Sequence, residues 1–579
     1  MAVETEATTV YRHAASGQIN MTATLALRPL LFDRNGIEPM ESRVSKWLLG
    51  VSGIVLLVAC ANMINLTLAR GMRRRRELSV RAALGAGRLR LIRLLVVEAI
   101  VLAIAGGAIG IGVAFAFAQA MRAWLLPKVD WVSGPVDGRV LVTALGIAVL
   151  AGLAVGLLPA LTSSRLDLSA SLKTGAREGG GRRRRLRTAL TIAQAALSAL
   201  LLSGAGLFVT SLEQVRSLDL GIEPDRVVTV NVSRPLPAGD TDAVRRERAR
   251  RTAFNAALLE ALQRRPDVES AALTIGLPFS SLFGADIHVP GVLTLPQLKG
   301  GGPFLSAVTA DYFRTVGTRI VRGRAFTPAD RAGSAPVAIV GEAMAAAIWP
   351  GADPLAKCFT IGDAPWCAQV VGVAADSRRF KLQEDTSLSF YIPLGQERNI
   401  GGTQALVRPR GDAGRLAADL RPVVAALDPS IMFVDTSILQ DKVEPQVRPW
   451  RLGAAMFGAM GALTLAVAAL GIYSLLSYLV ASRTHEIGVR LALGAPSAAV
   501  GAMIMRSGII VAVAGVVIGL AAALVVSPLM APLLFETSPR DARVFTAVAI
   551  ALAATAVLAT SIPAFRARHV NPLEAMRTE

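Results

Sequence analysis

The sequence is poor in the residues on which most enzymes and metalloproteins depend. Its 579 residues include only four His and three Cys, and neither type follows the spacing of a metal-ligand set. No arrangement of Ser, His and Asp, and no pair of carboxylates, stands in a context that indicates catalysis. We therefore expect no metal, no cofactor and no catalytic centre in this chain.

Charged residues are also scarce. They make up 18% of the chain, apolar residues make up 53%, and the mean hydropathy is +0.50, whereas soluble domains average about 25% charged and roughly 45–50% apolar residues. The apolar content excludes a disordered or fibrous chain, and three Cys are too few for a disulfide-stapled one. The class that remains is an integral membrane protein with some soluble mass.

Seven apolar stretches are long enough to cross a bilayer, whose core of about 30 Å requires roughly 20 helical residues. Most of them are too long and too free of charge to be buried helices of a soluble core. None has the charged start and cleavage site of a signal peptide, so we expect none to be removed. The stretches are Trp47–Leu68, Leu94–Ala118, Val140–Leu161, Thr188–Val209, Leu452–Val480, Ile509–Leu529 and Val544–Ile562.

Basic residues are concentrated in two of the loops between these stretches. Nine Arg lie between positions 70 and 93, and eight Lys or Arg lie between positions 165 and 187, whereas the loops after the second and sixth stretches have only three and two. An excess of Lys and Arg marks cytoplasmic loops. We therefore expect the N-terminus and residues 210–450 to lie outside the cytoplasm and the C-terminus to lie inside it.

The Arg runs also allow a nucleic-acid interpretation, because basic clusters bind phosphates. Both runs adjoin apolar stretches, and no aromatic residues are interleaved with them for base stacking. Membrane topology and anionic lipid account for the runs without further assumptions. We expect membrane lipid as a partner and no nucleic acid.

The sequence contains an internal repeat. Residues 77–86 (ELSVRAALGA) recur as residues 486–495 (EIGVRLALGA), an offset of 409 positions, and small residues of the following stretch recur at the same offset. After the third stretch of each set the offset falls to 404. Stretches one to three and five to seven therefore form two copies of one three-helix bundle, and the fourth stretch links them.

Each copy of the repeated motif predicts a short amphipathic helix across the cytoplasmic end of its bundle. Its Glu and Arg are four positions apart and meet on one helix face, and a Gly follows where a helix commonly ends. A salt-bridged surface helix that merely finishes a loop is the alternative. Recurrence of the motif in two otherwise diverged copies favours a functional role.

Residues 210–450 alternate between strand-like and helix-like patterns. Two β-α-β units are predicted at residues 226–232, 252–265, 268–275, 404–408, 413–427 and 431–435. Two such units that flank an insert predict a split ferredoxin-like subdomain. Pro422 is expected to interrupt the second of its helices.

The insert between these units is predicted to be a second, β-rich lobe. It contains strand patterns at Pro336–Val340 and Ala368–Asp376 and a helix pattern at Glu342–Trp349. Cys358 and Cys367 fall within it, outside the membrane, where disulfides persist. A disulfide that closes the short hairpin between them is one interpretation, and free thiols are the other.

These patterns together resemble a known family. The duplicated E-[LI]-x-V-R-x-A-L-G-A motif after a span resembles the FtsX-like ABC transporter permeases, which include the macrolide-exporter and lipoprotein-releasing permeases. Three groups of residues outside the spans resemble the periplasmic core domain of the macrolide-exporter type. These are Asp311-Tyr312-Phe313 with Gly317, Gly323-Arg324 and Phe326; Val337-Ala338-Ile339-Val340 with Trp349-Pro350-Gly351; and Val370-Val371-Gly372-Val373 with Asp376.

Two bundles in one chain resemble more narrowly the duplicated permeases described from acidobacteria. Full members of that group have a leading span and a complete first periplasmic domain before the position of Trp47. Residues 1–46 resemble only the tail of such a domain, so we expect a truncated or split member, or a start at a late Met. The domains expected are a remnant at 1–46, a first FtsX-like bundle at 47–187, a linking helix at 188–209, a periplasmic core domain at 210–450 and a second bundle at 451–579.

The resemblance implies a polytopic α-helical membrane protein of the bacterial plasma (inner) membrane. About seven transmembrane helices would form two duplicated three-helix bundles and one linking span. An α+β extracytoplasmic domain would combine a ferredoxin-like part with a β-rich insert.

The resemblance also implies a function without catalysis. Separate cytoplasmic ABC-type ATPase subunits would move the two loop helices, and the chain would transmit that motion to its extracytoplasmic domain for export or release of an unknown substrate. The sequence has no G-x-x-x-x-G-K-[ST] phosphate loop and so is not the ATPase. The implied ATPase-coupling residues are Glu77, Arg81, Gly85, Ala86, Glu486, Arg490, Gly494 and Ala495.

Further partners compatible with the resemblance are an outer envelope protein and a second permease chain. An alternative function is a non-transporting scaffold that passes ATPase-driven movement to an envelope enzyme or a sensor kinase. An ion-coupled transporter is disfavoured, because no chain of acidic or His residues crosses the spans and no pair of broken helices is evident.

Overall fold

A computed structural model describes residues 40–73, 88–125, 127, 134, 137–163, 179–233, 241–280, 283–396, 403–428, 431–493 and 495–569. The chain divides into two compact units. The helical unit comprises residues up to Gln214 and from Pro449 onward, and the α/β unit comprises Val215–Arg448. The boundaries fall inside two long helices.

The helical unit contains seven helices that are long and apolar enough to cross a membrane, which confirms the predicted spans. A further short helix, α10, lies between the fifth and sixth of them in the described part of the chain. The bounds of the long helices are α1 Met40–Arg73, α2 Arg88–Leu125, α3 Gly138–Ser163, α4 Gly179–Arg216, α9 Gln440–Ser482, α11 Ser497–Val526 and α12 Ala542–Arg568, and α10 spans Thr484–Ala492.

The two bundles repeat one close helix contact. In the first bundle, a Cβ on Gly156 of α3 would lie 3.0 Å from the Cβ of Ala99 in α2. In the second bundle, a Cβ on Gly508 of α11 would lie 2.5 Å from Cγ2 of Thr560 in α12. Ala99 corresponds to Gly508 at the offset of 409, and Gly156 corresponds to Thr560 at the offset of 404. The sequence repeat is therefore also a repeat of helix packing.

The linking helix α4 packs against the second bundle. The rings of Phe208 in α4 and Phe457 in α9 stack with centroids 4.6 Å apart, and Phe208 is fully buried. Val44 and Val51 of α1 join the same buried cluster. Helix α4 thus has the second bundle on one side and the first helix of the first bundle on another.

The described residues of the α/β unit form twelve strands and four α-helices. The strands are β1 Val228–Ser233, β2 Val268–Ile275, β3 Phe283–Gly284, β4 Ile287–His288, β5 Phe304–Val308, β6 Ile320–Gly323, β7 Val337–Gly341, β8 Cys358–Ile361, β9 Ala368–Ala374, β10 Ser389–Pro393, β11 Gln404–Pro409 and β12 Phe433–Ile438. The helices are α5 Thr241–Gln263, α6 Tyr312–Val316, α7 Glu342–Ile348 and α8 Ala413–Leu427.

Four of these strands form the ferredoxin-like part predicted from the sequence. Their order is β12-β1-β11-β2, and every neighbouring pair is antiparallel. Chain order β1-α5-β2 followed by β11-α8-β12 with this strand order is the split β-α-β arrangement. Helices α5 and α8 cover one face, with Leu262 and Leu420 fully buried between helices and sheet.

The insert is β-rich, as predicted, and it shares a sheet with the ferredoxin-like part. Strand β5 pairs with β2 through Thr274–Val308 and Ile275–Ala307, so the sheet continues from the ferredoxin-like part through the insert in the order β2-β5-β10-β7-β9-β8-β4. The last residues of β2 are buried, and their pairing with β5 provides partners for backbone groups that would otherwise lack them. The insert retains a core of its own around Phe359 and Phe390.

Helix α8 differs from its prediction, because it continues through Pro422. Its N-terminus is fixed by the side chain of Asp412, which accepts a hydrogen bond from the backbone N–H of Arg415. Its buried face places Leu416, Leu420 and Val424 against the sheet. Tertiary burial therefore offsets the backbone hydrogen bond that proline removes.

Candidate functional site

Helix α10 carries the second copy of the repeated motif, and a single residue, Arg483, separates it from the end of α9. The hydroxyl of Thr484 donates to the carbonyl oxygen of Val480 at 3.1 Å across this break. Ile487 is only 2% exposed and joins a buried cluster with residues of α9, α11 and α12. The buried face of α10 therefore fixes it across the end of the second bundle.

The opposite face of α10 carries an ion pair. Nη2 of Arg490 lies 2.6 Å from Oε1 of Glu486, one turn earlier, and both side chains are about half exposed. Such a pair contributes only about 0.3–0.5 kcal/mol to the helix. A second guanidinium nitrogen of Arg490 contacts Sδ of Met503 in α11 at 3.2 Å. The contacts with Glu486 and Met503 therefore hold the Arg490 side chain in place and add little to the stability of the fold.

The C-terminus of α10 is closed by backbone hydrogen bonds. The N–H of Leu493 donates to the carbonyl of Val489, and the N–H of Ala495 donates to the carbonyl of Arg490 at 3.0 Å. This six-residue closure is that of a Schellman ending. Leu493 is 82% exposed, so an apolar side chain stands in solvent beside the ion pair.

Three of the eight predicted coupling residues are thus placed by the structure. Glu486 and Arg490 pair on the exposed face, and Ala495 closes the helix. Gly494 and the whole first copy, which includes Glu77, Arg81, Gly85 and Ala86, lie outside the described residues.

Further basic groups lie at the same end of the second bundle. Arg566 of α12 donates to the hydroxyl oxygen of Tyr473 at 3.1 Å, and the side chain of Arg568 covers Gly501 at the start of α11. Among the described residues at this end, Glu486 is an acidic residue that pairs with Arg483 and Arg490. The end therefore offers a basic surface that suits an acidic partner or anionic lipid.

Sequence reasoning missed a polar stripe on α4. Arg187, Thr191, Gln194 and Ser198 recur at three- and four-residue spacing and are each at most 4% exposed. Polar residues on the interior face of a membrane helix commonly connect helices. Their i, i+4, i+7 spacing within an apolar run is the signal that could have revealed them.

The polar stripe on α4 connects three helices. Nη2 of Arg187 donates to the backbone carbonyl of Asn65 in α1 at 2.8 Å, and the guanidinium lies 4.1 Å from the ring centroid of Tyr478 in α9. Nε2 of Gln194 donates to the carbonyl of Val58 in α1 at 3.3 Å. The first and second bundles are therefore joined through α4 by buried polar contacts.

The motif residues of the α/β unit support the fold. Tyr312, Phe313 and Tyr391 form a buried aromatic cluster with ring centroids 5.0–5.8 Å apart, and burial raises the pKa of Tyr312. Gly317 follows α6 with φ of 83°, a conformation that favours glycine. These residues have packing roles rather than chemical ones.

Other polar groups of the α/β unit also have structural partners. The carboxylate of Asp376 accepts from the N–H of Ala343 at 3.0 Å, at the start of α7. Cys358 and Cys367 are joined in a disulfide across the β8–β9 hairpin. Among the residues that the structure describes, no three His, Cys, Asp or Glu side chains come close enough to hold a metal ion.

This geometry defines the class of protein: an integral membrane protein with repeated helical bundles and one α/β domain. A family model described as FtsX-like permease C-terminal matches residues 49–168 and 458–572, and one described as MacB-like periplasmic core domain matches residues 188–423. The chain therefore carries two segments that match the FtsX-like permease model and, between them, a MacB-like periplasmic core domain.

Relatives of this chain include exporters. The macrolide export ATP-binding/permease protein MacB of Marinobacter nauticus is 26% identical over 341 residues, which are 54% of this chain and 51% of that protein. The pyoverdine export ATP-binding/permease protein PvdT of Pseudomonas putida is 26% identical over 275 residues, 45% of this chain and 40% of that protein. The chain thus spans about half or less of these relatives' length.

Solved structures similar to this chain include a periplasmic region and an extracellular domain. The periplasmic region of MacB from Actinobacillus actinomycetemcomitans is 18% identical and covers 40% of this chain and 95% of its own, with a TM-score of 0.28. The extracellular domain of the noncanonic ABC-type transporter YknZ from Gram-positive bacteria is 12% identical. The match covers 36% of this chain and 99% of that domain, with a TM-score of 0.26.

Proposed function

We propose that this chain is the permease subunit of an ABC exporter and transmits ATP-driven motion from separate ATPase subunits to the α/β unit. The observation that carries the proposal is the two-sided character of α10. Ile487 fixes one face in the bundle, and the other face exposes Glu486, Arg490 and Leu493. A helix that is held rigidly and also presents a charged and apolar surface suits transmission of force from a docked partner.

The ATPase comes from outside these 579 residues, because they contain no phosphate-binding loop. The names of the relatives describe ATP-binding/permease proteins, in which both activities belong to one protein. In the proposed complex the first copy of the motif, with Glu77, Arg81, Gly85 and Ala86, docks on one ATPase subunit. The second copy, including Gly494, docks on another.

The proposed orientation places α10 and the basic end of the second bundle in the cytoplasm. Arg483, Arg490, Arg566 and Arg568 lie at that end, and cytoplasmic segments carry the excess of basic residues. The α/β unit then lies outside the plasma membrane, where its disulfide is stable. The domain division is a remnant at 1–46, bundles at 47–187 and 451–579, a linking helix at 188–209 and the periplasmic core at 210–450.

The test is an ATPase assay on the chain and its ATPase in proteoliposomes. We expect Arg490→Ala and Leu493→Asp each to reduce the permease-dependent stimulation of ATP hydrolysis severalfold, and Arg81→Ala with Arg490→Ala to reduce it further. Arg540→Ala, in the loop before α12, is the matched control and should leave stimulation unchanged.

Unchanged stimulation in all three variants would remove the docking assignment. If the variants uncouple ATP hydrolysis but no compound is transported by the native complex, a scaffold for an envelope enzyme becomes the better interpretation. Co-purification of such an enzyme with the chain would then identify it.

A further inference from the structure

Two adjacent residues of α9 hold corresponding helix ends of the two bundles. Nε1 of Trp450 donates to the backbone carbonyl of Leu533 at 3.1 Å, and Nη2 of Arg451 donates to the backbone carbonyl of Leu125. Leu533 ends a short 3-10 helix, Ser527–Leu533, that directly follows α11, and Leu125 ends α2. One turn of α9 therefore contacts the second bundle through Trp450 and the first bundle through Arg451.

The sequence repeat makes these two helix ends equivalent. The offset of 409 positions that relates Gly106 to Gly515 also pairs Leu125 with Leu534, one residue beyond Leu533. The two acceptor carbonyls thus differ by a single position in the repeat. Neighbouring donors on α9 therefore hold nearly the same point of both copies, although α9 itself belongs to the second bundle.

The contact with the second bundle is part of a packed core. Trp450 is 4% exposed, and its ring meets that of Phe535 edge to face, with centroids 5.9 Å apart. The N–H of Phe535 in turn donates to the buried hydroxyl of Ser211 in α4 at 2.7 Å. Trp450 therefore joins α9 to its own bundle by apolar packing as well as by a hydrogen bond.

The contact with the first bundle depends on a charged side chain. The last four carbonyls of a helix have no partner within it, and a guanidinium near them donates hydrogen bonds and complements the negative end of the helix dipole. Arg451 supplies both interactions to α2 from a helix of the other bundle. Hydrogen bonds from a charged donor are stronger than those between neutral groups. Displacement of the end of α2 therefore acts directly on Arg451.

Helix α9 is also attached inside the α/β unit, in which its first residues lie. The side-chain amide of Gln446 accepts a hydrogen bond from the N–H of Leu382 at 2.9 Å and donates one to the carbonyl of Phe380 at 2.7 Å. Val443, three residues earlier, is only 2% exposed. The start of α9 is thus fixed to the segment around Phe380, so a displacement of α9 also acts on that segment.

We propose that Arg451 is a positioning residue that passes movement of the first bundle to α9, and through α9 to the α/β unit. Helix α9 then combines the movements of both bundles, since Trp450 joins it to the second. This role rests on the proposed function, because it requires an ATPase that moves the bundles. The underlying tie between Arg451 and the end of α2 does not.

The tie is tested by double electron–electron resonance on the purified chain in nanodiscs. Nitroxide labels are attached to Trp124→Cys and Leu529→Cys, because both positions are strongly exposed and lie near the two helix ends. Cys60→Ala removes the remaining thiol, since Cys358 and Cys367 form a disulfide. We expect a single narrow distance distribution when residue 451 is Arg.

Substitutions at position 451 separate the donor group from the rest of the side chain. Arg451→Met keeps an aliphatic stem and removes every donor, so we expect a broader distribution. Arg451→Gln, which is shorter and neutral, should broaden it too and replaces Arg451→Met where that variant does not insert. Arg451→Lys keeps a charged donor and should restore a narrow distribution. Arg540→Met is the matched control, because Arg540 is exposed in the loop before α12.

The route from the first bundle is tested by ATPase stimulation in proteoliposomes. We expect Arg451→Met to reduce stimulation severalfold in the native background and in Arg490→Ala. It should have no further effect in Arg81→Ala, which already removes the input to the first bundle. A merely structural role would lower stimulation equally in all three backgrounds. If neither Arg81→Ala nor Arg490→Ala lowers stimulation, the proposed function fails and the transmission role fails with it, whereas the distances still decide the tie.

Two results would overturn the proposal directly. One is a distance distribution that Arg451→Met and Arg451→Gln leave unchanged in a stably inserted chain. The other is a loss of stimulation by Arg451→Met that is as large in Arg81→Ala as in Arg490→Ala.

Discussion

Two aspartates of the α/β unit have opposite electrostatic surroundings. The carboxylate of Asp330 accepts hydrogen bonds from both Nη atoms of Arg324, and this partner lowers the pKa of Asp330. Burial raises the pKa of Asp376, although the N–H of Ala343 donates to it and opposes the shift. The two groups should therefore change stability with pH in opposite directions.

The signs follow from the proton balance between folded and unfolded chains. For Asp330 the folded pKa lies below the unfolded one, so its contribution is present above about pH 4 and is lost as the pH falls through the folded pKa. For Asp376 the folded pKa lies above the unfolded one. Its ionisation therefore costs stability as the pH rises from about 4 through that raised pKa.

We predict that Asp330→Asn lowers the unfolding temperature near neutral pH and removes part of its fall at acid pH. Asp376→Asn should instead reduce the loss of stability above about pH 4, because an amide oxygen still accepts from Ala343 without ionising. Thermal unfolding of the detergent-solubilised chain at a series of pH values measures both. Equal pH profiles for the two variants would contradict the assigned surroundings.

The contacts of Arg187 could not be predicted from the sequence. It closes a run of basic residues and was expected to act only as a loop charge that sets orientation. The structure buries it against Asn65 and Tyr478. Both partners belong to other helices, and a pattern along one helix does not specify which side chains another helix brings to it.

At the scale of elements, α10 separates a structural face from an exposed face. Ile487 is buried among residues of α9, α11 and α12, whereas Leu493 is largely exposed. The two apolar side chains of similar size therefore allow stability and docking to be tested separately.

We predict that Ile487→Ala lowers the free energy of unfolding by about 2–4 kcal/mol, because it leaves a cavity at the end of the second bundle. Leu493→Ala should change it by less than about 0.5 kcal/mol, as surface substitutions commonly do. Chemical unfolding in detergent compares the two, with hydrogen exchange of α10 as a local readout. A large loss of stability in Leu493→Ala would show that this side chain is not free to meet a partner.

The elements themselves were predicted unevenly. The seven spans were identified because each depends on local composition, and all seven are present. The start of α9 at Gln440 was not identified. Asp441, Lys442 and Glu444 are polar, so hydropathy assigns them outside a span, although they are helical. The joining of the insert to the ferredoxin-like part rests on two residue pairs between β2 and β5, distant in sequence and without a local signal.

At the scale of the whole molecule, the repeat made the most far-reaching predictions. Equivalent positions in the two bundles make equivalent contacts at Ala99 and Gly508, as the sequence repeat predicts. The repeat does not specify what lies around each bundle, because α4 occurs once between the two copies. The difference in exposure between Gly106 and Gly515 is therefore visible only in three dimensions.

The proposed orientation of the membrane protein makes the remaining prediction. Leu493 in the helical unit and Leu293 in the α/β unit are both strongly exposed, and the proposal places them on opposite sides of the membrane. The native thiols interfere little, since Cys358 and Cys367 form a disulfide and Cys60 lies in α1. We predict that a membrane-impermeant maleimide applied to intact spheroplasts labels Leu293→Cys and leaves Leu493→Cys unlabelled, whereas inverted vesicles give the reverse. Permeabilised membranes, in which both variants should react, serve as the control. Labelling of Leu493→Cys in intact spheroplasts would place α10 beyond the reach of any cytoplasmic ATPase, because a helix exposed outside the cell cannot contact a subunit that binds nucleotide within it.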